Sequence, residues 1–208
     1  MNWLRQLILS IAHRYLSKGS DVEKTKISLT IAPDEILVRG IVAPIWASSS
    51  KKELKANAFL PPPPKGEAES TCVSLNRLRY CSADFCKSHA KNLQIRGSEY
   101  VGLAIFNQKT IEELNAEVEL LNFAFIVASP INDKNEYIDT ALVQVYAENS
   151  GAPMHADLTY ALPFSKNQAF SPAIDHLQYA KRLIKKVKYL PDLDVSGLKW
   201  TGDALVLP

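Results

Sequence analysis

Ser70-Thr71-Cys72-Val73-Ser74-Leu75-Asn76-Arg77 opens the stretch that decides the fold, and Val101-Gly102-Leu103-Ala104-Ile105-Phe106 closes it. Between them lies Ala83 to Lys91, a short run with helical patterning. The order predicts a strand over 72–80, a helix over 83–91 and a second strand over 99–107. Cys72, Ser74 and Asn76 share one face of the first strand by period-two alternation, while Arg77 points the other way. All three cysteines of the chain fall here, with one of its four histidines.

Outward from this centre, Glu35 to Val42 reads as a strand ended by Pro44, with Arg39 interrupting an otherwise apolar run. A buried arginine requires an anion or a carboxylate. A strand is expected over 54–60, and Pro61 to Pro64 then form a stiff exposed loop that donates no ladder hydrogen bonds. Thr110 and Glu113 match a capping box, and Ile111, Leu114, Val118 and Leu121 give the following helix one apolar face. Asn122 to Ser129 reads as a buried strand. Ala141 to Ala147 and Met154 to Leu162 read as two strands of a hairpin turned at Asn149-Ser150-Gly151. Ser171-Pro172 opens a last helix that runs to Leu190 and stops at Pro191. The fold class expected is α+β: one domain over 27–208 with a largely antiparallel sheet and flanking helices.

Residues 1–20 form a separate amphipathic helix in this reading. Trp3, Leu4, Leu7, Ile8, Ile11, Ala12, Tyr15 and Leu16 fall on one stripe, and Gly19 stands at its end. Trp3, Leu7 and Ile11 are the candidate contacts with a partner chain or a second copy.

Composition sets outer limits. At 208 residues and 47% hydrophobic the chain can bury a substantial core. A net charge of +2 is too mild to argue for nucleic acid by itself. An odd number of cysteines excludes a complete disulfide framework and favours a reducing compartment. No apolar run reaches the roughly 20 residues that span a bilayer, and residues 7–12 lack a signal-peptide cleavage pattern. The expected location is cytoplasmic, with no membrane span.

Three constellations are candidates for chemistry. Cys72, Cys81, Cys86 and His89 approach the spacing of a three-cysteine, one-histidine zinc finger. An extended 72–80 would hold Cys72 and Cys81 roughly 30 Å apart, too far for bonds of about 2.3 Å to one ion. Cys81, Cys86 and His89 remain as a trio without a fourth ligand, so no metal and no cofactor is expected. His155, Asp157 and Thr159 share one face of their strand, a pattern that serves a general base oriented by an acid, or simply a polar face turned to water. With Arg39 to meet a phosphate, His155 and Asp157 are the catalytic candidates. Lys181, Lys185 and Lys188 fall on one face of the last helix and are the candidate partner contacts there, for nucleic acid or protein. The aromatics of single-strand binders are missing beside them, which disfavours nucleic acid. No glycine-rich phosphate loop, nucleophile elbow or metalloprotease motif occurs.

Arg39-Gly40-Ile41, Ala58-Phe59, Ser74-Leu75-Asn76-Arg77, Gly102-Leu103-Ala104 and Pro153-Met154-His155-Ala156 together resemble a loose set of small uncharacterised bacterial proteins. The pattern of that set is Arg-x-Ile/Val, Ala-Phe, Ser-Val-x-Arg, Gly-x-Ala and Pro-Ala-His-Ala. Leu75 stands here for its valine and Met154 for its alanine. The resemblance covers about 39–156 and implies positions of interest without a reaction. The functional expectation is a non-enzymatic interaction component of a larger bacterial assembly, of a kind such as a defence or toxin–antitoxin system. The rivals are a small enzyme on a phosphate-bearing or nucleotide substrate, and a nucleic-acid-binding module using the last helix.

Overall fold

The computed structural model describes residues 24–48, 50, 53–62, 71–92, 97–119, 123–161 and 175–207. The expected N-terminal helix, with Trp3, Leu7 and Ile11, lies outside them. The described chain forms one antiparallel sheet of six strands: β1 (Ile36–Ala43), β2 (Cys72–Arg77), β3 (Glu99–Asn107), β4 (Ala124–Ala128), β5 (His155–Tyr160) and β6 (Lys188–Pro191). Their order across the sheet is β4-β5-β2-β1-β3-β6, so β4 and β6 are the edges. Three α-helices accompany it: α1 (Ala83–Lys91), α2 (Gln108–Glu117) and α3 (His176–Lys186). The α+β class and the antiparallel sheet follow the expectation.

Both faces of the sheet are covered, because β1 and β3 carry buried apolar side chains on both. Leu37 and Ile41 of β1, Leu75 of β2, Phe106 of β3 and Leu158 of β5 meet Leu114 of α2 and Leu183 of α3 on one side. Val38, Leu103, Ile105 and Leu190 meet Cys86 and Ala90 of α1 on the other. At the crossing of β1 and α1, a Cβ on Gly40 would stand 2.1 Å from Ala90 Cβ, so only glycine admits the helix this close. Ser82 caps α1, its hydroxyl accepting from Phe85 N–H at 3.1 Å.

Several boundaries differ from expectation for reasons of packing. The first strand stops at Arg77, and Leu78–Tyr80 is a 3₁₀ turn. Over 54–60 only Leu54 bridges, to Ala47, and Ala56–Phe59 winds as a 3₁₀ turn. That winding buries Phe59 edge-on to Phe106, with ring centres 5.6 Å apart, and offers its carbonyl to Tyr160 OH at 2.6 Å. Pro61 is buried behind it, although Pro62 is exposed as expected. The cap of α2 is Asn107, whose Oδ1 accepts from Thr110 N–H, so the helix begins before the capping box at Thr110. Residues 141–147 are turns rather than a strand. Both sides of β5 are occupied, by β2 and β4, so this segment pairs only at Tyr146, with Lys26. The strand expected to be buried at 122–129 is the edge strand β4, with Phe125 and Val127 exposed.

The last helix ends at Lys186, not Leu190. Lys188 to Pro191 leaves the helical period to pair with β3, Leu190 opposite Leu103. After β6 the chain returns across α1. Lys87, fully buried, sets its Nζ 2.8 Å from Asp192 Oδ2 and donates to the carbonyls of Asp194 and Lys199 at 2.5 and 2.7 Å. Lys91 donates to Ser196 O and Gly197 O, and Asp84 Oδ1 accepts from Trp200 N–H. Burial alone would push the Asp192 carboxyl up, but its bonds with Lys87, Thr201 and Asp194 N–H outweigh this and hold it down.

Candidate functional site: a closed polar cluster beside an open edge

The register of β2 on β5 sets Asn76 opposite His155, Ser74 opposite Asp157 and Cys72 opposite Thr159. These polar residues therefore share one face, as their alternation predicts. The expectation that water meets this face fails at His155 and Asp157, which are 2% and 5% exposed. Segment 129–154 closes over them. Ser129 receives the His155 Nδ1–H, with its carbonyl at 2.9 Å and its hydroxyl at 3.0 Å. Tyr137 OH donates to Asp157 Oδ2 at 3.1 Å. From α1, His89 Nδ1 meets Asn76 Oδ1 at 3.0 Å.

This pattern fixes the tautomers. Each imidazole gives its Nδ1–H to an oxygen, leaving Nε2 as the lone-pair nitrogen. His155 Nε2 stands 3.9 Å from Asp157 Oδ1, and that oxygen has no hydrogen-bond partner among the described residues. Burial pushes both histidines below their ordinary value; Asp157 pulls against this at His155, and His155 adds to it at His89. His155 Nε2 and Asp157 Oδ1 are thus two buried acceptors that face each other without a hydrogen bond between them.

Arg39 belongs to the opposite side of the sheet. Val38 pairs with Asn76, and β1 and β2 pair at no position beyond it. The guanidinium occupies this divergence, donating from Nη1 to Ser74 O at 2.8 Å and lying 4.1 Å from the Trp46 ring centre. Its Nε has no partner among the described residues. Burial pushes it down to about 9, against the opposing pull of Tyr160 and Asp157. Open clefts lie elsewhere among the described residues. One, of about 300 Å³, is lined by Asp34, Glu35 and Arg79; another, of about 230 Å³, by Leu29, Leu142 and Val143. Neither reaches Arg39, His155 or Asp157.

Of the metal candidates, Cys81 and Cys86 meet, Sγ to Sγ at 3.6 Å, while His89 turns away to Asn76. Among the described residues no three histidine, cysteine or acidic side chains are grouped to hold a metal ion. Of the basic residues, Lys181 and Lys185 are exposed on α3. Lys188 is not on their helix face: it is in β6, half-buried, and donates to Val206 O at 3.1 Å. No helix among the described residues is long and apolar enough to cross a membrane.

Sequence reasoning missed the buried ion pair of Arg77 with Glu35 and that of Lys87 with Asp192. Arg77 was visible as a charge at the end of an apolar strand, whereas Lys87 had no signal beyond a charged residue in a short helix. The positions that carried the resemblance prove largely architectural: Ala58, Phe59 and Ala104 are fully buried, and Gly102 lies against the Leu190 carbonyl. No family model matches the chain, and no curated protein or solved structure does.

Proposed function

We propose that the protein is a non-enzymatic interaction component of a larger bacterial assembly, and that the β4 edge receives an extended segment of a partner protein. The observation that carries this is the state of that edge. Phe123 O accepts from Ala161 N–H and Ser129 N–H donates to His155 O, so the odd-numbered residues of β4 bond inward to β5. The backbone groups of the even-numbered residues then face outward. Asn115 satisfies those of Ala124, its Nδ2 donating to Ala124 O at 2.7 Å. Ile126 and Ala128 keep theirs open among the described residues. Beside them Phe125 and Val127 are 40% and 42% exposed. Open donors and acceptors with alternating apolar side chains are what an added strand requires.

The stripe of Trp3, Leu7 and Ile11 is a second proposed contact, and a defence or toxin–antitoxin setting belongs to the same proposal. The test is the intact-complex mass of untagged protein, wild type against Ala128→Pro and Phe125→Glu. Ala128→Pro removes an outward N–H and leaves the β5 ladder whole. Loss of the partner from both variants, with melting temperature within a few degrees of wild type, is the expected result. An unchanged complex would reject the edge, and its loss only on removing residues 1–18 would move the contact to the N-terminal stripe.

The rival enzyme reading draws on the unpartnered Asp157 Oδ1 beside His155 Nε2. A His155→Ala variant that kept its stability yet lost turnover of a phosphate-bearing substrate would favour it.

A further inference from the structure

Cys81 and Cys86 occupy special places on α1. With Ser82 as the N-cap, Cys81 is the residue before the cap and Cys86 the fourth residue of the helix. These are the two positions at which a pair of apolar side chains commonly clasps a helix start. Here the clasp is made of two thiols. Their sulfurs are 3.6 Å apart, about 1.6 Å beyond a covalent disulfide. Cys81 has an extended backbone and sits outside the helix, so its side chain can close that gap without unwinding α1.

The two thiols are unequal in access. Cys86 is fully buried against the sheet, whereas Cys81 is half-buried at the margin of the same cluster. Cys81 donates to Arg77 O at 3.3 Å. The hydrogen bond to Cys81, and then burial, push the Cys86 thiol far up. Cys72 is placed elsewhere, on β2, where it interacts with Asp157 and Tyr137.

We infer that Cys81 and Cys86 are a reversible disulfide site that takes small-molecule disulfides as its oxidant. The Cys81 thiolate attacks one sulfur of oxidised glutathione, forming a mixed disulfide and releasing one glutathione thiolate. Cys86 Sγ then attacks Cys81 Sγ, its proton passing to the second departing glutathione. The protein loses two hydrogens as a Cys81–Cys86 bond, and one oxidised glutathione becomes two thiols. The bond locks the entry of α1, the helix that carries His89, Lys87 and Lys91.

The experiment treats the full chain with oxidised glutathione, unfolds it in an alkylating agent and maps the peptides. The expected result is a fall in free thiols from three to one per chain, a linked Cys81–Cys86 peptide and an alkylated Cys72, all reversed by dithiothreitol. Cys86→Ser is expected to stop at the mixed disulfide on Cys81, and Cys86→Ala serves if the serine variant does not fold. Wild-type protein that keeps three free thiols, or that holds glutathione on Cys81 with Cys86 still free, would overturn the inference.

Discussion

Arg77 Nε donates to Glu35 Oε1 across 2.6 Å with both side chains closed off from solvent. A second bond joins Nη2 to Oε2 at 2.8 Å, and the remaining donors reach the carbonyls of Ser28 and Thr30. The guanidinium thus ties segment 28–35 to the end of β2. Removing one member of a buried pair costs about 3–5 kcal/mol, because the other charge is left without compensation. Glu35→Ala is therefore expected to lose that much in urea unfolding, while Glu35→Leu with Arg77→Met recovers most of it. A loss below about 1 kcal/mol in the single variant, the range of an exposed pair, would show that the fork is not what secures this segment.

Gly40→Ala is expected to destabilise the fold by about 1–3 kcal/mol through overpacking. Its methyl would fall on Ala90 Cβ, at 2.1 Å. Because the two positions touch, Ala90→Gly in the same chain should return part of the loss, a coupling that a double-mutant cycle reads directly.

Stability should fall as the medium is acidified below about pH 6.5, the ordinary histidine value. Folding holds His155 below that value, so in this range the unfolded chain binds a proton that the folded chain refuses. The contribution is fully present above the unfolded value and is lost as pH falls through the folded one. The slope is at most about 1.4 kcal/mol per pH unit for this group. Tyr137, Asp157 and His89 face it, and of these only His89 adds a lowered histidine. Urea midpoints from pH 8 to pH 5 should show the decline, and His155→Gln should flatten it.

Lys181→Gln with Lys185→Gln is expected to leave nucleic-acid retention at physiological salt unchanged. The third cation once grouped with them, Lys188, is engaged with Val206 O. Steeply salt-dependent binding that disappears in the double variant would favour the nucleic-acid reading.

What was legible in the chain was local. Alternation and apolar runs located β1, β3 and the polar face of β5, and helical patterning located α1 over 83–91. The failures were tertiary. Lys188 continues the helical period of α3, yet the open side of β3 takes residues 188–191 into the sheet. His155 and Asp157 alternate as a solvated face would, but Ser129 and Tyr137 come across to cover them. Phe125 and Val127 look like core because nothing nearby in sequence reveals that β4 ends the sheet. Periodicity reports which side of a strand a residue takes, and only the assembled fold decides what stands on that side.

The burial of Lys87 also sets an order of events. Its carbonyl partners, Asp194 and Lys199, lie 107 and 112 residues further along the chain. The pairings of β1 with β2 and β3 join nearer residues, such as Val38 with Asn76 and Ile105, but α1 cannot desolvate this ammonium until the distant segment arrives. Loop closure over such a span is slow compared with local pairing. Newly made chains will therefore pass through a stage in which β1, β2 and β3 are paired while β6 and the α1 layer are ajar, and Asp192→Asn should lengthen that stage in stopped-flow refolding.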